Sequence, residues 1–196
     1  MSERRQIAPS KRDALLRAAK DLLWERGYEG MSPRDVLDRS GAGQGSLYHH
    51  FTGKLDLACA ALEEMAEEEG AAIDEIFALS KPPLQRIADY LMRERAALRG
   101  CRLARLANET AMEQRDFRGP VANFLQRIEN HLTEALRQAR LEGRLAPEVD
   151  ETSLAAMFLA IVEGGFVLAR AHWDESRMTA ALDGARIVLA ELTRPK

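Results

Sequence analysis

Apolar residues recur along this chain at spacings of three and four, the period of a helix with one buried face. No window sustains the apolar–polar alternation of a half-buried strand, so the pattern predicts an all-α fold. A first helix opens at Ser10, whose hydroxyl can cap it together with Asp13. It carries Ala14, Leu15, Ala18, Ala19, Leu22 and Leu23 on one stripe until Gly27. A second starts at Ser32, with Pro33 at its first position and Asp35 at its third, turns Val36 and Leu37 inward and ends at Ser40 and Gly41. A third helix of about two turns is anchored by Leu47 and Phe51, four residues apart, and its opposite face is polar.

Thr52 or Gly53 opens a longer helix through Leu55, Ala58, Leu62 and Met65, with Gly70 a point of bending and Ile73, Ile76 and Phe77 beyond it. Pro82 and Pro83 open a fifth, bearing Leu84, Ile87, Ala88, Leu91 and Leu98 and terminated by Gly100. A sixth is expected from Cys101 to Phe117, before a break at Gly119 and Pro120. The strongest periodicity follows, with Val121, Phe124, Leu125, Ile128, Leu132, Ala135, Leu136 and Ala139 on one stripe before Gly143. Helices over 151–172 and 176–192 complete an expected set of nine.

The chain has 196 residues, of which 46% are hydrophobic and 30% charged, so a folded domain is expected rather than a disordered or fibrous one. Against 31 acidic residues stand 28 basic ones, and the net charge of −3 excludes coating nucleic acid by bulk charge while leaving room for a local DNA-reading surface. The charge is uneven: residues 1–60 hold ten Lys and Arg against eight Asp and Glu, and the remainder 18 against 23. The basic excess is concentrated at Arg4, Arg5, Lys11, Arg12, Arg17 and Lys20, so phosphate is expected to meet this end. Arg4, Arg5, Lys11 and Arg12 read either as an arm reaching a neighbouring groove or as a solvated tail.

Cys59 and Cys101 are too few for a disulfide framework and lack zinc-site spacing, which points to a reducing cytoplasm. The polar N-terminal stretch has no signal-peptide pattern. The most apolar run, Leu154 to Ala169, is shorter than the roughly 20 residues that cross a bilayer and contains Glu163. It reads as a core or interface helix, and neither a membrane partner nor a cofactor is expected.

Ser32 to Phe51 forms a unit: a short capped helix, a turn through Ser40, Gly41, Ala42 and Gly43, and a second short helix. This spacing is that of a helix-turn-helix. A helix that enters the major groove needs small or polar residues at its leading end, which Gln44, Gly45 and Ser46 supply. Tyr48, His49 and His50 can donate to phosphate oxygens, and Lys54 stands where the next helix begins. Phosphate contact or a hydrogen bond within the domain both remain open for His50.

The run Gly-Ser-Leu-Tyr-His-His-Phe-Thr-Gly-Lys from Gly45 to Lys54 resembles the signature of the TetR family of bacterial transcriptional repressors. Gly27-Tyr28 and Arg34-Asp35-Val36 belong to the same resemblance, which covers roughly residues 10–60. It implies a homodimer whose N-terminal helix-turn-helix units, residues 1–54, read a palindromic double-stranded operator. A C-terminal helical domain, 55–196, would bind a small-molecule effector and form the dimer interface. The resemblance places Arg34, Gln44, Gly45, Tyr48, His49, His50 and Lys54 at DNA-contacting positions. Ala42, Gly43 and Gln44 stand where the family commonly has Val, Ser and Lys, so one charged contact is missing.

Met and aromatic side chains in the later helices suggest an adaptable apolar pocket for an apolar or aromatic effector. Its expected lining is Cys101, Leu106, Glu109, Met112, Phe117, Phe124, Met157, Glu163, Phe166 and Trp173, with His131 as a further polar group. Glu109 and Glu163 read equally as partners of Arg105 and Arg170. Cys101 follows Gly100 at an expected helix start between Arg99 and Arg102, an arrangement that lowers a thiol pKa, so a thiol- or electrophile-sensing repressor is the alternative. An effector-binding helical dimer without DNA binding is another. Enzyme activity is not expected, because the chain has no phosphate loop, metal pair or nucleophile elbow. The small residues of 154–169 and the stripe Met178, Leu182, Ala185 and Leu189 suggest a four-helix interface about a two-fold axis.

Overall fold

A computed structural model describes residues 10–146 and 148–193. The described residues form eight α-helices and two short 3-10 segments, with no strand among them. In the first unit, α1 (Lys11–Arg26) packs on α2 (Pro33–Ser40) and α3 (Gln44–His50). Both expected capping boxes are present: Ser10 and Asp13 satisfy each other's backbone at the start of α1, and Ser32 and Asp35 do so at α2. Gly41 ends α2 at φ 64°, ψ 15°, a left-handed conformation that glycine adopts without steric cost. Leu47 and Phe51 are buried, as their spacing requires. The expected arm residues Arg4 and Arg5 lie outside the described residues.

The long α4 (Lys54–Ile76) packs against α1 on one side and α6 (Arg115–Leu141) on the other, so it is the beam between the two halves. It runs on through Gly70. The missing Cβ there admits the guanidinium of Arg127 from α6, which donates through Nε to Asp74 at 3.0 Å and through Nη1 to Glu67 at 3.1 Å. The larger half is completed by α5 (Pro83–Met92), α7 (Glu151–His172) and α8 (Ser176–Leu192). Gly165 of α7 lets that helix approach Met178 of α8 closely.

Three expectations need correction. The helix expected over Cys101–Phe117 is absent; the segment holds 3-10 turns at Ala104–Asn108 and Thr110–Glu113, and its last three residues already belong to α6. Leu103 and Leu106 are buried, but an α-helical stripe continued from them would bury Thr110, whereas Ala111 is buried and Thr110 exposed. Glu109 sits between the turns in extended conformation, its carboxylate committed to α1's end. Second, Gly119 and Pro120 do not break the chain but lie inside α6. Gly119 has no Cβ to collide with the following ring, so the proline costs the helix one hydrogen bond and not its course. Third, α5 stops at Met92 because Arg95 folds back, donating to the carbonyls of Tyr90 at 2.5 Å, Leu91 at 3.2 Å and Arg93 at 2.7 Å. The expected count of nine helices is therefore eight among the described residues.

The 22-residue α7, with mean hydropathy 1.8 over its most apolar window, is long and apolar enough by length and composition to cross a bilayer. It instead packs against α6 and α8 and carries the ionisable Glu163. One side of it is thus buried in the bundle, and the other, with Val167 and Leu168, is exposed.

Candidate nucleic-acid interface and effector cavity

Leu47 and Phe51 hold α3 against α1, which fixes the opposite face outward. Gln44, Gly45, Tyr48, His49 and His50 are exposed there, and Ser46 is partly so. Tyr48 is 55% exposed, far more than a core tyrosine. A Cβ on Gly45 would meet no atom within 4 Å, so packing does not demand glycine at this helical position. Gly in a helix costs about 0.5–1 kcal/mol relative to Ala, and a surface that must come close to another molecule gives that cost a reason. His49 and His50 meet edge to face at 4.8 Å, and His50 approaches Phe51 at 6.3 Å.

Arg34 on α2 is 91% exposed and its nearest carboxylate, Asp38, is 3.9 Å away, an ion pair weak enough to yield to phosphate. The Lys54 ammonium lies 4.1 Å from the ring centroid of Tyr28, which holds the side chain at the start of α4. In the first turn of α4 the Asp56 carboxylate accepts from the Thr52 N–H at 2.7 Å, which ties Thr52 to the helix start. Ala42, in the turn, is buried rather than exposed.

Two of the cavities in the larger half adjoin. The inner one, about 160 Å³, lies among α1, the 93–102 segment, α6 and α7; Trp24, Tyr90, Arg95, Phe124, Ile128 and Val162 line it. The outer one, about 430 Å³, is lined by Arg99, Arg105, Arg170, Ala104, Asn108, Val167 and Ala171. Gly100, Cys101, Glu163 and Phe166 line both.

Of the residues expected in the pocket, Cys101, Phe124, Glu163 and Phe166 are on these walls. The other six are elsewhere. Leu106 is buried in the core, and Met112 and Met157 pack against it half-buried. Phe117 is fully buried against Tyr28, with ring centroids 5.0 Å apart. Trp173 is 72% exposed just beyond α7, at φ 52°. Glu109 accepts from the Glu29 N–H at 3.1 Å, and Glu29 in turn accepts from the Thr110 N–H at 3.1 Å. Gly27 is favoured here by its φ of 78°, which L side chains rarely adopt, and its missing Cβ leaves room for the Glu109 carboxylate. His131 does not enter either cavity; it bonds Asp74 at 2.7 Å and stacks on Phe77.

Burial pushes the Glu163 carboxyl up to about 7, against a counter-pull from the Cys101 thiol, which hydrogen-bonds it, and from the Arg95 charge. The same burial, with Glu163 alongside, pushes the Cys101 thiol up to about 12, opposite in direction to the expected activation. The reason is geometric. Cys101 begins no helix, and its two flanking arginines turn away: Arg99 lies 3.4 Å from the Trp24 ring centroid, and Arg102 pairs with Glu69 at 3.1 Å.

Sequence periodicity missed Trp24, Tyr90, Arg95, Arg99 and Arg102 as cavity residues. Arg95, Arg99 and Arg102 belong to the irregular 93–102 segment, where no period exists to read. Two left a signal: Tyr90, three residues after Ile87 on α5, and Trp24, an aromatic residue just off the buried stripe of α1.

A helix-turn-helix with a polar, small-residue reading face, joined by a shared helix to a bundle with a ligand-sized cavity, is the build of a one-component DNA-binding regulator. Comparison with known proteins agrees. Residues 15–67 match the family profile "Bacterial regulatory proteins, tetR family", and residues 84–185 match "Tetracyclin repressor-like, C-terminal domain". The chain belongs to the TetR family of transcriptional regulators. Among its relatives, the HTH-type transcriptional repressor ComR of Escherichia coli is 30% identical over 171 residues, covering 81% of this chain and 79% of ComR. The transcriptional regulator AcuR of Cereibacter sphaeroides is 27% identical over 164 residues, 80% of this chain and 75% of AcuR. A TetR-family regulator of Agrobacterium tumefaciens superposes with a TM-score of 0.82 at 27% identity, over 94% of this chain and 98% of that one. TetR-family regulators bind DNA as dimers and often take small-molecule effectors.

Proposed function

We propose that this chain is a cytoplasmic, ligand-responsive repressor that grips a palindromic operator as a homodimer and lets go when a small molecule occupies the paired cavities. Residues 1–54 are the reading unit and 55–196 the effector and dimerisation unit. Arg34, Gln44, Gly45, Ser46, Tyr48, His49, His50 and Lys54 form the DNA-facing surface, with α3 in the major groove and Lys54 on the phosphate backbone. Two copies joined along α7 and α8 would set their reading helices about 34–36 Å apart, one turn of duplex.

The support is the link between cavity and reader: the cavity-wall residue Gly100 accepts a hydrogen bond from Trp24 of α1 at 3.1 Å, and Arg99 stacks on the same indole. A ligand that moves this wall moves α1. A coupling of about 1–3 kcal/mol would change operator affinity roughly 5- to 150-fold.

Titrating a palindromic operator against wild type, Tyr48→Ala and Lys54→Ala over a range of salt tests the reading. Removing one lysine–phosphate contact per protomer should lower the salt slope by about 2 per dimer. Equal affinities and slopes for all three proteins would refute this DNA-facing surface. Flat salt dependence throughout would favour the helical dimer without DNA binding, to which the uncharged turn Ala42, Gly43 and Gln44 lends itself. The thiol-sensing alternative has less support, because Cys101 is held as a neutral thiol.

A further inference from the structure

Most arginines of the larger half are paired with carboxylates: Arg93 with Glu69, Arg102 with Glu68 and Glu69, Arg127 with Asp74 and Glu67, Arg140 with Glu151. Among the described residues of this half seven form no ion pair: Arg86, Arg95, Arg115 and Arg118, which lie off the outer cavity, and Arg99, Arg105 and Arg170, which all line it. Each of these last three guanidiniums offers five N–H donors. The structure satisfies one, from Arg170 Nη1 to the Leu98 carbonyl at 3.2 Å. Arg99 is occupied only through its face, on Trp24.

The carboxyl on these walls, Glu163, hydrogen-bonds Cys101 and pairs with none of the three, so their charges repel one another. Burial and the neighbouring charges of Arg170 and Arg99 hold the Arg105 guanidinium below its ordinary value. An anion between them would relieve this, and planar guanidinium groups match the geometry of a carboxylate. The rest of the lining includes the apolar Ala104, Phe166, Val167 and Ala171, and Phe166 and Cys101 are shared with the inner cavity. The volume of about 430 Å³ is that of a small-molecule site.

We infer that the outer cavity binds a small organic carboxylate, its head on Arg105 and Arg170 with Arg99 beside them, its apolar body along Phe166 toward the inner cavity. This rests on the proposal that the chain responds to an effector, and it names that effector's class. It also gives the ligand a lever, since Arg99, drawn to the anion, bears on Trp24 and so on α1.

The test is calorimetric and thermal-shift binding of the intact dimer with straight-chain carboxylates of increasing length and benzoate, alongside hexanamide, benzamide and inorganic phosphate, into the millimolar range. At least one carboxylate should bind saturably. Its uncharged amide should not, and Arg105→Gln and Arg170→Gln should weaken it about tenfold or more. Arg105→Lys, which keeps the charge but not the fork, should fall between. No saturable binding by any carboxylate, or equal binding by the amides, overturns the inference. Binding by phosphate alone overturns it in favour of an inorganic-anion site. If the Gln variants loosen the dimer in sedimentation while carboxylate binding persists, the arginines serve the contact between copies and the inference also falls. Carboxylate binding without operator release would leave this site standing and remove the effector-responsive reading; release by a neutral compound alone would do the reverse.

Discussion

The indole N–H of Trp24 donates to the carbonyl of Gly100 at 3.1 Å, joining the helix that supports the helix-turn-helix to the loop that walls the two cavities. The bond spans 76 residues of sequence. It is reinforced by the guanidiniums of Arg99 and Arg102, at 3.4 Å and 5.4 Å from the same ring. Trp24→Phe keeps an aromatic ring beneath these cations but leaves the Gly100 carbonyl without its donor. The expected cost is about 1 kcal/mol in urea unfolding, with faster amide exchange confined to the 96–102 segment. Operator affinity without ligand should stay as in wild type, while ligand-induced release shrinks. Undiminished release would mean that the coupling runs instead through the Glu29–Glu109 clasp.

Glu163 makes stability depend on pH in an unusual direction for a carboxylate. Its folded-state pKa, pushed up to about 7, exceeds the ordinary 4.5, so the native state holds the proton more tightly than the unfolded chain. Below the ordinary value both states are protonated and nothing is lost; as pH rises through 7 the native state must bear a buried charge. Glu163→Gln removes that burden. Thermal unfolding should find the variant more stable than wild type at pH 8 by up to about 3 kcal/mol, with a much smaller difference at pH 5. A difference independent of pH would place Glu163 in water.

A thiol held near 12 is a poor nucleophile at neutral pH. Iodoacetamide at pH 8 should modify Cys101 about a thousandfold more slowly than an unstructured cysteine, and at ordinary rates in denaturant. Peptide mapping against time distinguishes it from Cys59. Fast modification of the native protein would restore the sensor-thiol alternative.

Much of this was legible in the residues, where local chemistry decides structure. Ser10–Asp13, Ser32–Asp35 and the Leu47/Phe51 anchor each encode a cap or a face within a few positions, and the structure bears them out. The Cys101–Phe117 segment was misread because its buried residues, Leu103, Leu106 and Ala111, are fixed by partners distant in sequence, not by a helical period. The same holds for the cavity. Glu163 and Phe166 stand on a regular helix and could be proposed; Trp24, Arg99 and Arg105 meet only after α1 and the 3-10 turns fold against one another. Arg102 carries two acidic partners from α4, a pairing across 33 residues that no local pattern contains.

Along the outer side of α7 and α8, apolar side chains are left exposed among the described residues. Val167 is 67% and Ile187 64% exposed, with Leu168 and Val188 beside them. Gly164 and Ala171 on α7 and Gly184 on α8 continue this surface at spacings of three and four, leaving room for close helix approach. Leu168→Glu with Ile187→Glu places, away from the arginines of the outer cavity, an unpaired charge from each helix into such a contact, where desolvation makes it costly. Neither residue supports the monomer's core, so cooperative unfolding should survive while sedimentation shows a monomer. With only one reading helix per particle, half the phosphate contacts go, and the salt slope of operator binding should fall to about half its wild-type value. Persistence of a dimer with undiminished operator affinity would mean that the copies meet on another face, and the spacing of the two reading helices would have to be derived from that contact instead.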